Sequence, residues 1–320
     1  MSDQNLQPQD ILNRKKELIQ SKALTVITTY DTFERESGKK DVSLCENSVG
    51  EKVILRIGEI RTNEFFFGGY QGKNLAIPKI FDQELEGIPY ELEEYLIGQL
   101  VSEVDTNEAI NGQMNLKLLE KLLSAFWEFQ TIGKKVTLEQ KFTIEKVKNH
   151  LRKTKNLLNN YSEIESMVNK YQDFWNTGYP SKWKFAPDNL ILTRDSKIGL
   201  IDNSNVGLRY FGYDLGWLIW PRWVLMKTEC YDKIEEQLEY LDNFSKKLLK
   251  TVPINHTAIE IEQYFWLMIM ERLIGMFFDV ANNTKHIKRW AIGPEGDAKR
   301  TKKYLYFLES LLKHTLTKIS

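Results

Sequence analysis

Asn189 and Asp202 are the two side chains of this sequence whose types and spacing could hold a metal ion. Asn189 ends a short loop, 190–193 (L-I-L-T) is an apolar run, 194–197 (R-D-S-K) a polar turn, and 198–201 (I-G-L-I) a second run that delivers Asp202. The pattern predicts a β-hairpin within 183–202, with an amide at its entrance and a carboxylate at its exit. Mg²⁺ takes oxygen ligands, usually one or two side chains completed by phosphate and water, so the pair suits a nucleotide-bound metal. Asn and Asp also cap turns through local hydrogen bonds, and a plain hairpin with polar ends reads the same way.

The flanking residues separate these readings. Pro187, Asn189, Ile201, Asp202, Gly207 and Asp214-Leu215 resemble the signature of the aminoglycoside phosphotransferase and choline kinase family, relatives of protein kinases, which runs roughly H-G-D-x-x-P-x-N, a hairpin, I-D-x-x-x, then G-x-x-x-x-D-L. The resemblance implies an α+β, protein-kinase-like two-lobe fold with a small antiparallel β-sheet lobe and a larger, mainly helical lobe. It implies ATP and Mg²⁺ as cofactors, Asn189 and Asp202 as metal ligands, and Asp214 as a structural brace of the catalytic loop. The match holds in spacing and departs in residues. Lys184 stands at the family's catalytic aspartate, Ser181 or Lys182 and Ala186 stand at its histidines, and the D-F-G-like tripeptide reads Asp202-Asn203-Ser204.

In kinase-type phosphoryl transfer that aspartate accepts or orients the proton of the attacking hydroxyl. A protonated lysine cannot. Lys184 could act as a base only if burial or neighbouring cations lowered its pKa by several units, and it could instead neutralise phosphate charge. Asp188, beside Asn189, is a substitute carboxylate. These departures point to a degraded active site, that of a pseudokinase able to keep its nucleotide and to serve a protein partner. The alternative is an active ATP-dependent kinase phosphorylating a hydroxyl of a small cationic substrate, an amino alcohol or aminosugar, by an atypical mechanism.

The elements that must position these groups are legible upstream. Residues 25–30, 42–46 and 52–57 read as strands, the last two joined by a turn containing Gly50. The resemblance puts Arg56 where the family's strand lysine meets the α- and β-phosphates; arginine keeps the charge but presents a planar fork. An exposed strand arginine is the plainer reading. Glu64 is the implied ion-pair partner of that cation. Residues 31–41 carry one glycine among several acidic side chains, which does not suit a backbone phosphate cradle. Strands within 74–81 and 88–97, followed by Gly98, resemble the family's hinge, with Glu93, Glu94, Tyr95 and Leu96 on the adenine side.

The remainder reads as helical. Residues 116–132 repeat apolar side chains at the helical period, and 133–156 holds eight basic against two acidic residues, a solvated face more readily than an anion-binding one. Trp217 and Trp220 share a helical face before Pro221, which is expected to interrupt or bend the helix. They could wall a pocket for an ammonium group or pack in the core. Glu229, Glu235, Glu236 and Glu239 could form an acidic wall or an ordinary helix exterior. Residues 258–280 read as a core helix, 282–302 as a polar connection and 304–318 as a final helix.

Composition sets the outer limits. The 320 residues carry 44 basic and 44 acidic side chains, and zero net charge argues against a nucleic-acid partner. Two cysteines do not make a disulfide scaffold and fit a cytoplasmic protein, and no uninterrupted run of ~20 apolar residues offers a transmembrane segment. The four histidines show no metal-ligand spacing. Residues 1–20 are expected to be a polar N-terminal segment, 21–98 the nucleotide-binding lobe and 99–320 the helical lobe.

Overall fold

Alternating apolar residues in 42–57 build a sheet buried on both faces. The computed structural model describes residues 7–31, 40–58, 68–110, 115–203, 206–253, 257–293 and 297–319. Strands β1 (Thr25–Asp31), β2 (Lys40–Glu46) and β3 (Lys52–Gly58), with β5 (Ile80–Glu84) and β6 (Tyr90–Glu94), form an antiparallel sheet in the order β1-β2-β3-β6-β5. Val53, Leu55 and Ile57 of β3 pack on one face with Cys45 and Tyr90. Ile54 packs on the other with Val42 and Leu44. Side chains alternate across a strand, so Arg56 belongs to the second face.

Helix α1 (Pro8–Ser21) covers the first face, where a polar N-terminal segment was expected. Pro8 suits the first helical turn. Ile11 and Leu18, two turns apart, are buried against β3. Lys15 lies between them: its Nζ is 2.8 Å from Asp41 Oδ1 and donates to Ser43 Oγ at 2.7 Å and Thr29 Oγ1 at 3.2 Å. Asp41 is 2% exposed. A lysine whose partner is brought in by folding reads in sequence as a surface residue, which is why composition hid this helix.

The chain divides into two compact units, 1–98 with 191–205 and 99–190 with 206–320. The first also contains β4 (Leu75–Ala76), which pairs in parallel with β10 (Ile198–Leu200). In sheet order β10 is followed by β9 (Leu190–Thr193) and β7 (Gly98–Leu100). The expected hairpin is therefore β9 and β10, and its distal part groups with the first unit.

In the second unit α2 (Val101–Ile110), α3 (Leu116–Gly133), α4 (Ile144–Thr154), α5 (Tyr161–Lys170) and α6 (Gln172–Asn176) precede a two-stranded ribbon, β8 (Tyr179–Ser181) with β11 (Gly207–Arg209). Helices α7 (Tyr213–Leu225), α8 (Ile234–Lys250), α9 (Ala258–Ala281) and α10 (Ala298–Ile319) complete it. Every residue of α9 from Phe265 to Ile274 is buried, as expected of a helix apolar on all sides. Among the described residues no helix is long and apolar enough to cross a membrane. Two expectations need correction. Helix α7 continues through Pro221 to Leu225, so the helix is not interrupted there, at the cost of the one backbone bond proline cannot make. Within the supposed polar connection, a π-helical stretch (Ile287–Ile292) buries Ile287, Ala291 and Ile292.

Replacing Lys15 by Met should lower unfolding stability by roughly 3 kcal/mol, because it leaves the Asp41 carboxylate buried without its partner. Urea denaturation checks this; an unchanged midpoint would mean that α1 does not depend on the pair.

Candidate functional site

The ribbon β8–β11 brings the start of α7 beneath the loop 181–189. Asp214, 1% exposed, accepts hydrogen bonds from Ser181 Oγ at 2.9 Å, Lys182 N–H at 2.8 Å and Trp183 N–H at 3.0 Å. Burial pushes the Asp214 carboxyl up, against the opposing pull of the Lys182 amide and the Arg209 charge. Trp183 sits at φ +80°, a conformation that bulky residues rarely adopt. Such strain persists where the surroundings over-determine it, and here Asp214 holds the Trp183 amide and the one before it.

Lys184 follows. Its side chain is half-buried, with Nζ 4.9 Å over the Trp183 ring. Its carbonyl accepts from Lys182 Nζ at 3.0 Å and Asn189 Nδ2 at 3.3 Å. Lys182 itself is 1% exposed. Asn189 is buried at the end of a single 3-10 turn (Pro187–Asn189). Because only the amide NH₂ can donate to a carbonyl, Oδ1 is left as the acceptor of that side chain. Asp188, next to it, is exposed.

In the first unit, Arg56 is surrounded by carboxylates. Its Nε and Nη2 each lie 2.7 Å from Glu93 Oε1, Glu91 sits directly across the strand pair, and Asp202 adds a third negative charge nearby. Burial opposes the Arg56 charge, yet Glu93 and Asp202 hold its pKa above the ordinary value. Burial and the Glu93 charge push Glu91 up to about 7, against the pull of Arg56. Asp202 adopts φ +53° at the hairpin exit.

These placements bear on the sequence expectations one by one. Glu64, the implied partner of Arg56, and Ser204 lie outside the described residues, as do residues 32–39 of the glycine-poor connection. Glu93 is engaged by Arg56 through its side chain. Tyr95 packs on the Val42–Leu44–Ile54 cluster, with Lys52 Nζ 5.8 Å over its ring. Strand register was the missing signal: parity puts Arg56, Glu91 and Glu93 on one face only once β3 is known to pair with β6.

Within the second unit a cavity of about 670 Å³ is walled in part by Trp183, Lys184, Asp188, Trp217 and Trp220. Trp217 and Trp220 are half-buried, with ring centroids 5.4 Å apart, and form wall rather than core, whereas Trp223 of the same helix is fully buried. Glu229, Glu235, Glu236 and Glu239 are exposed and do not line it. The floor holds a buried network from α9 that sequence reasoning passed over. Arg272 Nε donates to Glu271 Oε2 at 2.7 Å, and Tyr210 O–H donates to the same oxygen at 2.5 Å. Gly216 makes room for it, since a Cβ there would lie 2.7 Å from Arg272 Cδ. The charges interrupting the apolar run 264–274 were the available clue. Among the described residues no group of three or more His, Cys, Asp or Glu side chains could hold a metal, so an ion at Asn189 or Asp202 would draw most of its ligands from phosphate and water.

No protein-family model matches the chain, and no curated protein matches its sequence. Among solved structures it is similar to amicoumacin kinase hAmiN in complex with AMP-PNP, Ca²⁺ and Ami, with TM-score 0.55 and 14% identity over 93% of this chain and 92% of that one. It is also similar to an aminoglycoside phosphotransferase from Alicyclobacillus acidocaldarius, with TM-score 0.53 and 12% identity over 98% of both chains. Macrolide 2'-phosphotransferase MphH from Brachybacterium faecium gives TM-score 0.53 and 9% identity over 88% of this chain and 96% of that one.

The Glu91 shift carries a sign. An unfolded glutamate loses its proton near 4.5, whereas this one keeps it to about 7, so its contribution to stability is present below 4.5 and is lost as pH rises through 7. Unfolding free energy should fall across that window by at most ~3 kcal/mol. Glu91→Gln should flatten the fall, as read by denaturant melts at several pH values; an unaltered profile would place the titrating group elsewhere.

Proposed function

We propose that this chain, which has the α+β protein-kinase-like fold of the aminoglycoside phosphotransferases, is a pseudokinase: it binds ATP or ADP with a divalent cation and has lost phosphoryl transfer. The observation that carries this reading is Lys184. The loop around it is pinned by Asp214, yet the side chain at the catalytic position is an ammonium laid on Trp183. A hydroxyl nucleophile needs an acceptor for its proton, and an ammonium is a donor.

The groups that would hold a nucleotide's metal are better preserved. Asn189 Oδ1 and the Asp202 carboxylate are oxygen donors of the kind Mg²⁺ takes. An ion held by either would offset phosphate charge. Arg56 keeps its charge, with its Nε and Nη2 committed to Glu93, so its reach toward phosphate is curtailed. The AMP-PNP and Ca²⁺ complex of the amicoumacin kinase agrees with a nucleotide reading. A second reading, an active kinase acting on a hydroxyl of a small molecule, is favoured by one feature: Asp188 brings a carboxylate to a cavity large enough for an acceptor.

Thermal shift and turnover assays on the full chain separate the two. The pseudokinase reading expects ATP or ADP with Mg²⁺ to raise Tm, the rise to vanish in Asp202→Ala and to shrink in Asn189→Ala, and no phosphate to be released above a protein-free control. Turnover that disappears in Asp202→Ala and in Asp188→Asn would establish the enzyme instead. No shift with any nucleotide would defeat both.

A further inference from the structure

Arg56 is the cation that the sheet of the first unit would offer to a phosphate, and it sits among acids. Its Nε and Nη2 both lie 2.7 Å from a single oxygen, Glu93 Oε1. Glu91 stands opposite Arg56 in the β3–β6 register, and Asp202 acts on the same guanidinium as a further negative charge. Three carboxylates therefore gather about one guanidinium. With Glu91 counted as protonated, two still do, so the sign of the cluster does not depend on that proton.

The pair is hard to separate. Glu93 is 5% exposed and the Arg56 side chain 18%. Drawing the guanidinium away would leave a carboxylate buried without its partner, which is strongly unfavourable. A phosphate reaching for Arg56 competes with Glu93 for the Nε–Nη2 edge, one on which arginine takes oxyanions in bidentate fashion. It also approaches Glu91 and Asp202, where partial burial strengthens the repulsion between like charges.

An adenine or a ribose is uncharged and meets neither obstacle. A divalent ion held by Asp202 removes much of the second, because it offsets that carboxylate and the phosphates together. It does so without disturbing the Arg56–Glu93 pair.

We propose that Glu93 is a specificity-determining residue of the nucleotide site: by holding Arg56 it withholds the strand cation from phosphate. The first unit then accepts an uncharged nucleoside or a metal-neutralised nucleotide and disfavours metal-free ADP or ATP. This rests on the nucleotide reading above and adds to it which residue makes phosphate binding depend on the ion.

Calorimetric titration of the full chain with adenosine and with ADP, each in EDTA and in Mg²⁺, tests it. In EDTA the wild-type protein should bind adenosine at least as tightly as ADP. Adding Mg²⁺ should tighten ADP binding about ten-fold or more and leave adenosine unchanged. Glu93→Gln, which frees the guanidinium, should tighten metal-free ADP binding about ten-fold with no gain for adenosine, and adding Arg56→Gln should abolish that gain. The wild-type comparison stands even if the variants fail to fold. Metal-free ADP binding several-fold tighter than adenosine would overturn the role of Glu93 while leaving the nucleotide reading in place. So would a folded Glu93→Gln protein with no gain for ADP, or a gain that survives loss of Arg56. Binding of neither adenosine nor ADP under any condition would defeat the nucleotide reading and this assignment with it.

Discussion

The loop 181–189 keeps its shape because one buried carboxylate holds its backbone. Asp214 accepts from two successive main-chain amides, Lys182 and Trp183, and from the Ser181 hydroxyl. A brace of this kind grips atoms that every non-proline residue possesses, so it is blind to the side chain at position 184. The loop can therefore hold its strained turn at Trp183 whatever side chain follows at position 184.

In the small sheet the third strand carries a positive charge on Arg56, and two glutamates of the neighbouring strand and Asp202 lie around it. A guanidinium cannot shed its proton at ordinary pH, so the cluster relaxes through its most crowded acid, Glu91. Burial and the like charge of Glu93 favour the protonated form of that carboxyl, against the pull of Arg56.

The helical unit sets charged and aromatic groups side by side. Trp217 and Trp220 form an aromatic wall, and the neighbouring Arg272, admitted by Gly216 and anchored by Glu271 and Tyr210, lies 5.6 Å over the Trp217 ring.

The sequence by itself determined the hairpin with Asn189 and Asp202 at its ends, the brace candidate Asp214, the strands of the small sheet and the apolar helices. These rest on periods and spacings within short stretches of chain, where alternation or a turn residue is enough. Tertiary structure alone decided that α1 docks through Lys15 and Asp41, that Arg56 faces Glu93, and that Trp217 and Trp220 wall a cavity near the buried Tyr210–Glu271 contact. Each of those depends on residues 26 to more than 50 positions apart meeting at hydrogen-bonding distance. Charge and aromaticity can be read along a chain, but whether a charge is satisfied or a ring face is open is a property of the neighbours that folding brings.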